Sequence, residues 1–188
     1  MSDLELIAEI KRGSRASQEI LVRRHYKLIY SFLYRMVGDK ELAKDLTQET
    51  FIKLLNNISK FRPSSEFRSW MLKVASNHAK DYLKSKSYKD SRNTYEWYEN
   101  DGSGSEKSVS SIFEKNEKRN EIKEALEELP DFQREAILFK YYHDLKISEI
   151  ASVTNTSVPT VKSRLNQGLK KLKTYLQRGD RDEQNTSG

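Results

Sequence analysis

The 188 residues hold 34 lysines and arginines against 28 aspartates and glutamates, a formal charge of +6 with a pI near 9.3. Cysteine is absent, which excludes disulfides and thiolate metal sites and suits a reducing compartment. The opening MSDLELIAEIKRGS lacks the apolar core of a signal peptide, and no apolar run approaches the roughly 20 residues of a membrane span. The expectation is a soluble intracellular chain with an anionic partner, nucleic acid first.

Glycine (7) and proline (3) are scarce and apolar residues recur every three or four positions, which predicts an all-α protein. Ile20, Leu21, Tyr26, Ile29, Tyr30 and Leu33 mark one helix; Leu42, Leu46, Leu54 and Ile58 mark the next. On that second helix Glu41, Asp45 and Glu49 stand at i, i+4 and i+8, an acidic line flanked by Gln48 and Phe51. Like charges at that spacing repel by a few tenths of a kcal/mol per pair. Two readings stand: Lys40, Lys44 and Lys53 offset a solvated face, or a basic partner helix docks there.

FRPSSEFRSW then interrupts the helices, and a further helix runs through Met71, Val74, Ala75 and Leu83. Phe61, Phe67, Trp70, Tyr82 and Tyr88 accompany Arg62, Arg68, Lys73, Lys80, Lys84, Lys86, Lys89 and Arg92. Aromatic platforms beside cationic tracks suit unstacked single-stranded DNA. The proline-stiffened loop from Arg62 to Glu66 is a place to hold an extruded base. Trp70 and Tyr82 also fit a core, and Asn77 suits either a base edge or a local cap.

Periodicity dissolves after Lys86. NDGSGSEKSVSS (100–111) reads as a flexible linker, and helical spacing returns near Asn120 until Pro130 breaks it. Asp131 is the expected N-cap of the following helix. The chain thus divides into a helical domain over 1–86, a flexible linker over 87–119, a second helical domain over 120–178 and a disordered tail over 179–188. The second domain is polarised: residues 121–149 hold 4 basic and 8 acidic side chains, and residues 150–178 hold 6 basic and none acidic.

ISEIASVTNTSVPTVKSRLNQGLKKL has the layout of a helix-turn-helix. A short helix covers about Ser148 to Val153, and Thr154 to Thr156 turn. Asn155 tolerates a left-handed backbone, Ser157 caps the second helix and Pro159 suits its first turn. Val161, Leu165, Leu169, Leu172 and Leu176 form the expected buried stripe, with Lys162, Ser163, Asn166, Gln167 and Lys170 beside it. Lysine, asparagine and glutamine can all bond base edges in a major groove, and the helix N-terminus favours phosphate. A plain solvated surface helix is the bland alternative; the cap, turn and proline weigh against it.

His25, His78 and His143 are scattered, no HExxH pair or GxxxxGK[ST] loop is present, and no spacing suggests a triad. No catalytic role, metal, cofactor or small-molecule substrate is expected.

Three stretches in order, DLTQETF, FRSWMLKVASNHAKDYLK and LEELPDFQREAILFKYYHDLKISEIASVTNTSVPTVKSRLNQGLKKLK, resemble a bacterial RNA polymerase sigma factor of the extracytoplasmic-function (ECF) class. The resemblance implies a factor that binds core polymerase and directs promoter-specific initiation. Asp45, Gln48 and Glu49, with Glu41 on the same line and Phe51 beside them, would meet the polymerase's clamp coiled coil, and the polymerase flap is a further implied contact. Phe61, Arg62 and Phe67 would frame the loop that captures a flipped non-template base of the minus-ten element. Asn77 would contact that base, and Lys80 and Lys84 would hold backbone phosphate. Lys162, Ser163, Asn166 and Gln167 would face the minus-thirty-five major groove, with Thr160 and Arg164 on phosphates. An anti-sigma partner and a cytoplasmic, nucleoid-associated location in the holoenzyme are further implications. Asn155, Gln167 and Gly168 depart from the family's frequent glycine, arginine and alanine. A stand-alone helix-turn-helix regulator is the competing reading.

Overall fold

The computed structural model describes residues 1–62, 66–85 and 120–186, with side chains described through residue 177. The expected linker and residues 63–65 of the base-capture loop lie outside the described residues. Among the described residues there is helix and turn and no strand. The first module holds α1 (Asp3–Lys11), α2 (Arg15–Val37), α3 (Lys40–Asn56), a 3₁₀ turn (Ile58–Lys60) and α4 (Phe67–Lys84). The second holds a helix over 120–127, termed α5, then α6 (Asp131–Ile137) running into a π-helical turn (Leu138–Tyr142). It ends with α7 (Ile147–Thr154) and α8 (Val158–Thr186).

Local sequence sets the boundaries. Ser2 and Glu5 close a reciprocal capping box on α1. Gly38 ends α2 at φ 79°, and Asp39 at once caps α3, its carboxylate accepting from the Leu42 amide at 2.8 Å. Pro130, not Asp131, takes the cap position of α6. Asp131 falls in the first turn, where its charge meets the positive end of the helix dipole. The last helix continues to Thr186, past residue 179 where the expected tail begins.

Leu21, Ile29, Leu33, Leu46, Leu54, Met71 and Leu72 fill the space between α2, α3 and α4. Leu126, Ile137, Ile150, Val153, Val161 and Leu165 fill the second module. The two modules expected from the sequence pack against each other, and both sets belong to one continuous core. Each small bundle leaves an apolar face uncovered, and the two faces meet. Phe32 of α2 lies fully buried and stacks on Phe139, with ring centroids 5.0 Å apart and planes 4° from parallel. An aromatic pair of this kind adds about 0.5–1.5 kcal/mol beyond the area it buries.

A buried arginine ties the same seam. Arg134, 3% exposed, donates to the carbonyls of Leu126 (2.8 Å), Glu127 (2.7 Å) and Leu129 (3.1 Å), and to Met36 (2.6 Å). These carbonyls lie at the C-terminal ends of α5 and α2, where helices leave acceptors without a partner. One side chain therefore closes a helix end in each module.

His143, 2% exposed, packs edge-on against Phe32 with ring centroids 5.6 Å apart and neither ring nitrogen bonded. Burial lowers its pKa from 6.5 to about 4; the charges of Arg68 and Arg35 push the same way and Asp144 opposes. Between those two pH values the unfolded chain takes a proton that the folded chain refuses, so stability falls as pH drops. The His143 share of that loss is about 2 kcal/mol between pH 7 and pH 5. His143→Phe should remove this share while keeping the contact with Phe32. Denaturant unfolding of both proteins at the two pH values measures it, and equal pH losses would contradict it.

Candidate nucleic-acid interface

The helix-turn-helix forms as its residue types require. Asn155 adopts the left-handed conformation, φ 52° and ψ 46°, and ends α7. Ser157 accepts from the Thr160 amide at 3.2 Å. Lys162, Ser163, Asn166 and Gln167 are exposed together along α8. The Gln167 amide is held at both ends: its nitrogen donates to Ser163 Oγ at 3.2 Å and its oxygen accepts from Gln133 at 3.1 Å. That fixes which end faces outward. Arg164 is half-buried with its guanidinium 5.4 Å from the Phe132 ring, and the Thr160 and Ser157 hydroxyls lie 2.7 Å apart.

The buried stripe of α8 differs from the expected one. Val161 and Leu165 are buried, but Leu169 is 38% exposed, and Gly168 takes its inward place. The stripe reads 161, 165, 168, 172 because α6 crosses closely at Gly168. A Cβ built there would stand 2.7 Å from Ile137 Cδ1 and 3.4 Å from Gln133 Cβ. The glycine therefore lets α8 seat against α6.

On α4, Asn77 and Lys84 are exposed, while Phe61 and Phe67 are buried. Those two rings pack edge to face at 5.2 Å, with Trp70 5.5 Å from Phe61 and His25 5.6 Å from Phe67. Lys11 of α1 donates to the Phe61 carbonyl at 3.2 Å. In this structure the aromatic residues pack against one another rather than forming a stacking surface, and Arg62 alone of the three framing residues is exposed. Lys80 is partly covered: its ammonium lies 3.1 Å from Glu135 of α6.

On α3, Glu41, Asp45, Gln48 and Glu49 all face outward. Lys44 contacts Glu41 at 2.6 Å, and that hydrogen bond raises the lysine's pKa. Glu49 meets His78 of α4 at 3.0 Å. His78 is buried against Thr50, and desolvation, with the nearby Lys53 charge, lowers its pKa. Its neutral ring then accepts from Thr50 and donates to Glu49. Phe51, by contrast, is 5% exposed and stacks under Tyr26, so it supports the surface from beneath. Ile52, 58% exposed, takes the outward apolar position next to Gln48 and Glu49. Ile52, Ser76, His78 and Glu135 carry the site's geometry without having been singled out by sequence; an i+4 step from Gln48 was the available signal for Ile52.

Sigma-70 region 2 matches residues 21–88 and Sigma-70 region 4 matches residues 119–172. The chain is 31% identical over 180 residues to the ECF RNA polymerase sigma factor SigW of Bacillus subtilis, covering 90% of this chain and 94% of that one. It is 28% identical over 181 residues to the RNA polymerase sigma-H factor of Pseudomonas aeruginosa, with 93% and 94% covered. The solved structure of CnrH in complex with the cytosolic domain of CnrY shares the fold at TM-score 0.67 and 21% identity, covering 94% of this chain and 97% of that chain. A second, the sigma factor RpoE with the anti-sigma factor NepR from Bartonella quintana, matches at TM-score 0.66 and 19% identity, with 85% and 96% covered. Two sigma-70 modules in series, a region 2 and a helix-turn-helix region 4, define the class. The chain belongs to the sigma-70 family, as an ECF sigma factor that directs promoter-specific transcription initiation by RNA polymerase. A stand-alone regulator is not favoured, because a lone helix-turn-helix carries no region 2. No helix among the described residues is long and apolar enough to cross a membrane.

The close crossing at Gly168 yields a stability test. Gly168→Ala gains about 1 kcal/mol of helix propensity that overpacking of Ile137 opposes. Gly168→Val keeps the clash without the gain and should cost about 2–3 kcal/mol. Denaturant midpoints measure both, and a valine variant as stable as wild type would contradict the packing described.

Proposed function

We propose that residues 1–86 bind core polymerase and open the minus-ten element, and that 120–178 read the minus-thirty-five duplex, with 87–119 as the connection. The observation that carries this reading is the acid-free face of α8, where Lys162, Ser163, Asn166 and Gln167 are exposed side by side above a buried stripe. Thr160 and Arg164 hold the flanking phosphates. Asp45, Gln48 and Glu49, with Glu41 and the apolar Ile52, meet the basic clamp coiled coil, Phe51 bracing them from below; the flap takes the second module. Phe61, Arg62 and Phe67 shape the base-capture loop, Asn77 touches the flipped base, and Lys80 and Lys84 hold backbone. No bond is made or broken by this chain. Trapping an unstacked base offsets the few kcal/mol that unstacking costs.

The two elements, named for their positions, lie about 25 base pairs apart, roughly 85 Å of duplex at 3.4 Å per pair. Thirty-three residues (87–119) extend at most about 115 Å, enough for that span. Each module alone binds weakly; held together on polymerase, they act through effective concentration. An anti-sigma protein, as in the solved complex of RpoE with NepR, is the proposed inhibitor, and the holoenzyme works in the cytoplasm on the nucleoid.

Two variant sets separate the surfaces. Asp45→Lys should lower core-polymerase affinity ten-fold or more, about 1.4 kcal/mol, with promoter preference unchanged in the residual holoenzyme. Lys162→Ala and Gln167→Ala should leave core affinity intact and weaken minus-thirty-five recognition by about 1–3 kcal/mol each. Pull-down and footprinting measure these; loss of core affinity from the α8 variants would overturn the assignment of faces.

A further inference from the structure

Ser76 and Lys80 stand one turn apart on α4, and both reach the same carboxylate. The Glu135 side chain, 1% exposed on α6, accepts a hydrogen bond from the Ser76 hydroxyl and pairs with the Lys80 ammonium at 3.1 Å. A hydroxyl and an ammonium converging on one anionic oxygen are what a DNA phosphate requires. Roughly two turns before Lys80, Lys73 donates to the Ser152 carbonyl at 3.3 Å and to Asn155 Oδ1 at 3.0 Å. These two acceptors lie at the end of α7 and in the helix-turn-helix turn. Lys73, Ser76 and Lys80, in the middle of the promoter-reading helix, are therefore engaged by the chain's own second module.

We propose that Ser76 and Lys80 form a phosphate seat for the minus-ten strand, and that Glu135 fills this seat as an internal phosphate mimic in the free chain. The proposal rests on the minus-ten reading of α4 given above. Ser76 becomes a DNA-contact residue in its own right. Glu135 and the DNA backbone are mutually exclusive occupants, so the closed chain is self-blocked. Geometry supports the exclusion independently. Lys73 of α4 touches the helix-turn-helix turn, whereas the two promoter elements lie about 85 Å apart on duplex DNA. Promoter binding by both modules requires this seam to part, and parting it frees the seat. Only α6 supplies an anion here: Lys80 pairs with Glu135 alone among the described carboxylates.

The test uses the full chain and a labelled single-stranded oligothymidine of about 16 nucleotides, read by fluorescence anisotropy across a salt series. A chain closed nine times in ten binds about ten-fold more weakly than its open form. Glu135→Gln should therefore bind about ten-fold tighter than wild type, with a log–log salt slope steeper by about 0.7, the increment of one single-strand phosphate. Adding Lys80→Gln or Ser76→Ala should reduce this gain. Equal affinity and slope for wild type and Glu135→Gln would overturn the proposal.

A second variant leaves Glu135 unaltered. The chain has no cysteine, so Lys73→Cys with Asn155→Cys can be bridged uniquely by a bis-maleimide whose spacer contains a disulfide. The bridged protein should bind the oligonucleotide at least ten-fold more weakly than the same protein after reductant cleaves the spacer; equal binding sinks the latch. Lys84→Ala, exposed on α4 outside the seam, separates the two levels. If it leaves binding unchanged, the minus-ten reading of α4 falls and the latch with it. If it weakens binding while the Glu135 and bridging arms show nothing, the latch falls alone.

Discussion

Two adjacent buried charges of opposite sign, Arg134 and Glu135, hold the modules against each other. Arg134 closes the ends of α2 and α5 with hydrogen bonds to backbone carbonyls. Glu135 clamps Ser76 and Lys80 of α4. Burying charge is costly unless every donor and acceptor is used, and pairs of this kind add little net stability compared with well-packed apolar residues. They fix geometry instead. A seam built on such pairs selects one arrangement, and it can separate without exposing an all-apolar face, because its charges are well solvated once apart.

That constraint explains the positions of the functional surfaces. The acidic line of α3 lies away from the seam and is exposed for a partner. The outer face of α8 is also open, because Gly168 draws the opposite face against Ile137. Only the middle of α4 is covered. Asn77 and Lys84 remain exposed while Lys73, Ser76 and Lys80 are engaged across the seam. His78 links α4 to α3 through Thr50 and Glu49, so the helix assigned to the promoter and the face assigned to polymerase share a buried bridge.

Local chemistry was legible in the sequence. The left-handed Asn155, the Ser157 cap and the break at Pro130 follow from side-chain properties that act within a few residues, and they stand where expected. The all-α class and the order of the helices followed from apolar spacing. What was not legible depends on contacts between distant helices. Period alone placed Leu169 inward, but the approach of α6 rotates the stripe to Gly168. Phe61 and Phe67 read as aromatic surface beside basic residues and Phe51 as a flank of the acidic line, yet all three are buried and each meets another ring. Glu135 gave no signal, because a single acid in a mixed-charge helix looks the same whether it meets water or a lysine 55 residues away.

The central claim is that this sigma factor is one closed body when free and two separated modules when working. Spin labels at Arg23→Cys on α2 and Ser152→Cys on α7, both exposed positions in a chain without native cysteine, report the separation by pulsed dipolar spectroscopy. The account predicts a single short, narrow distance in the free chain and a markedly longer one in the promoter-bound holoenzyme. A long, broad distribution in the free chain, or an unchanged short distance on the promoter, would contradict it.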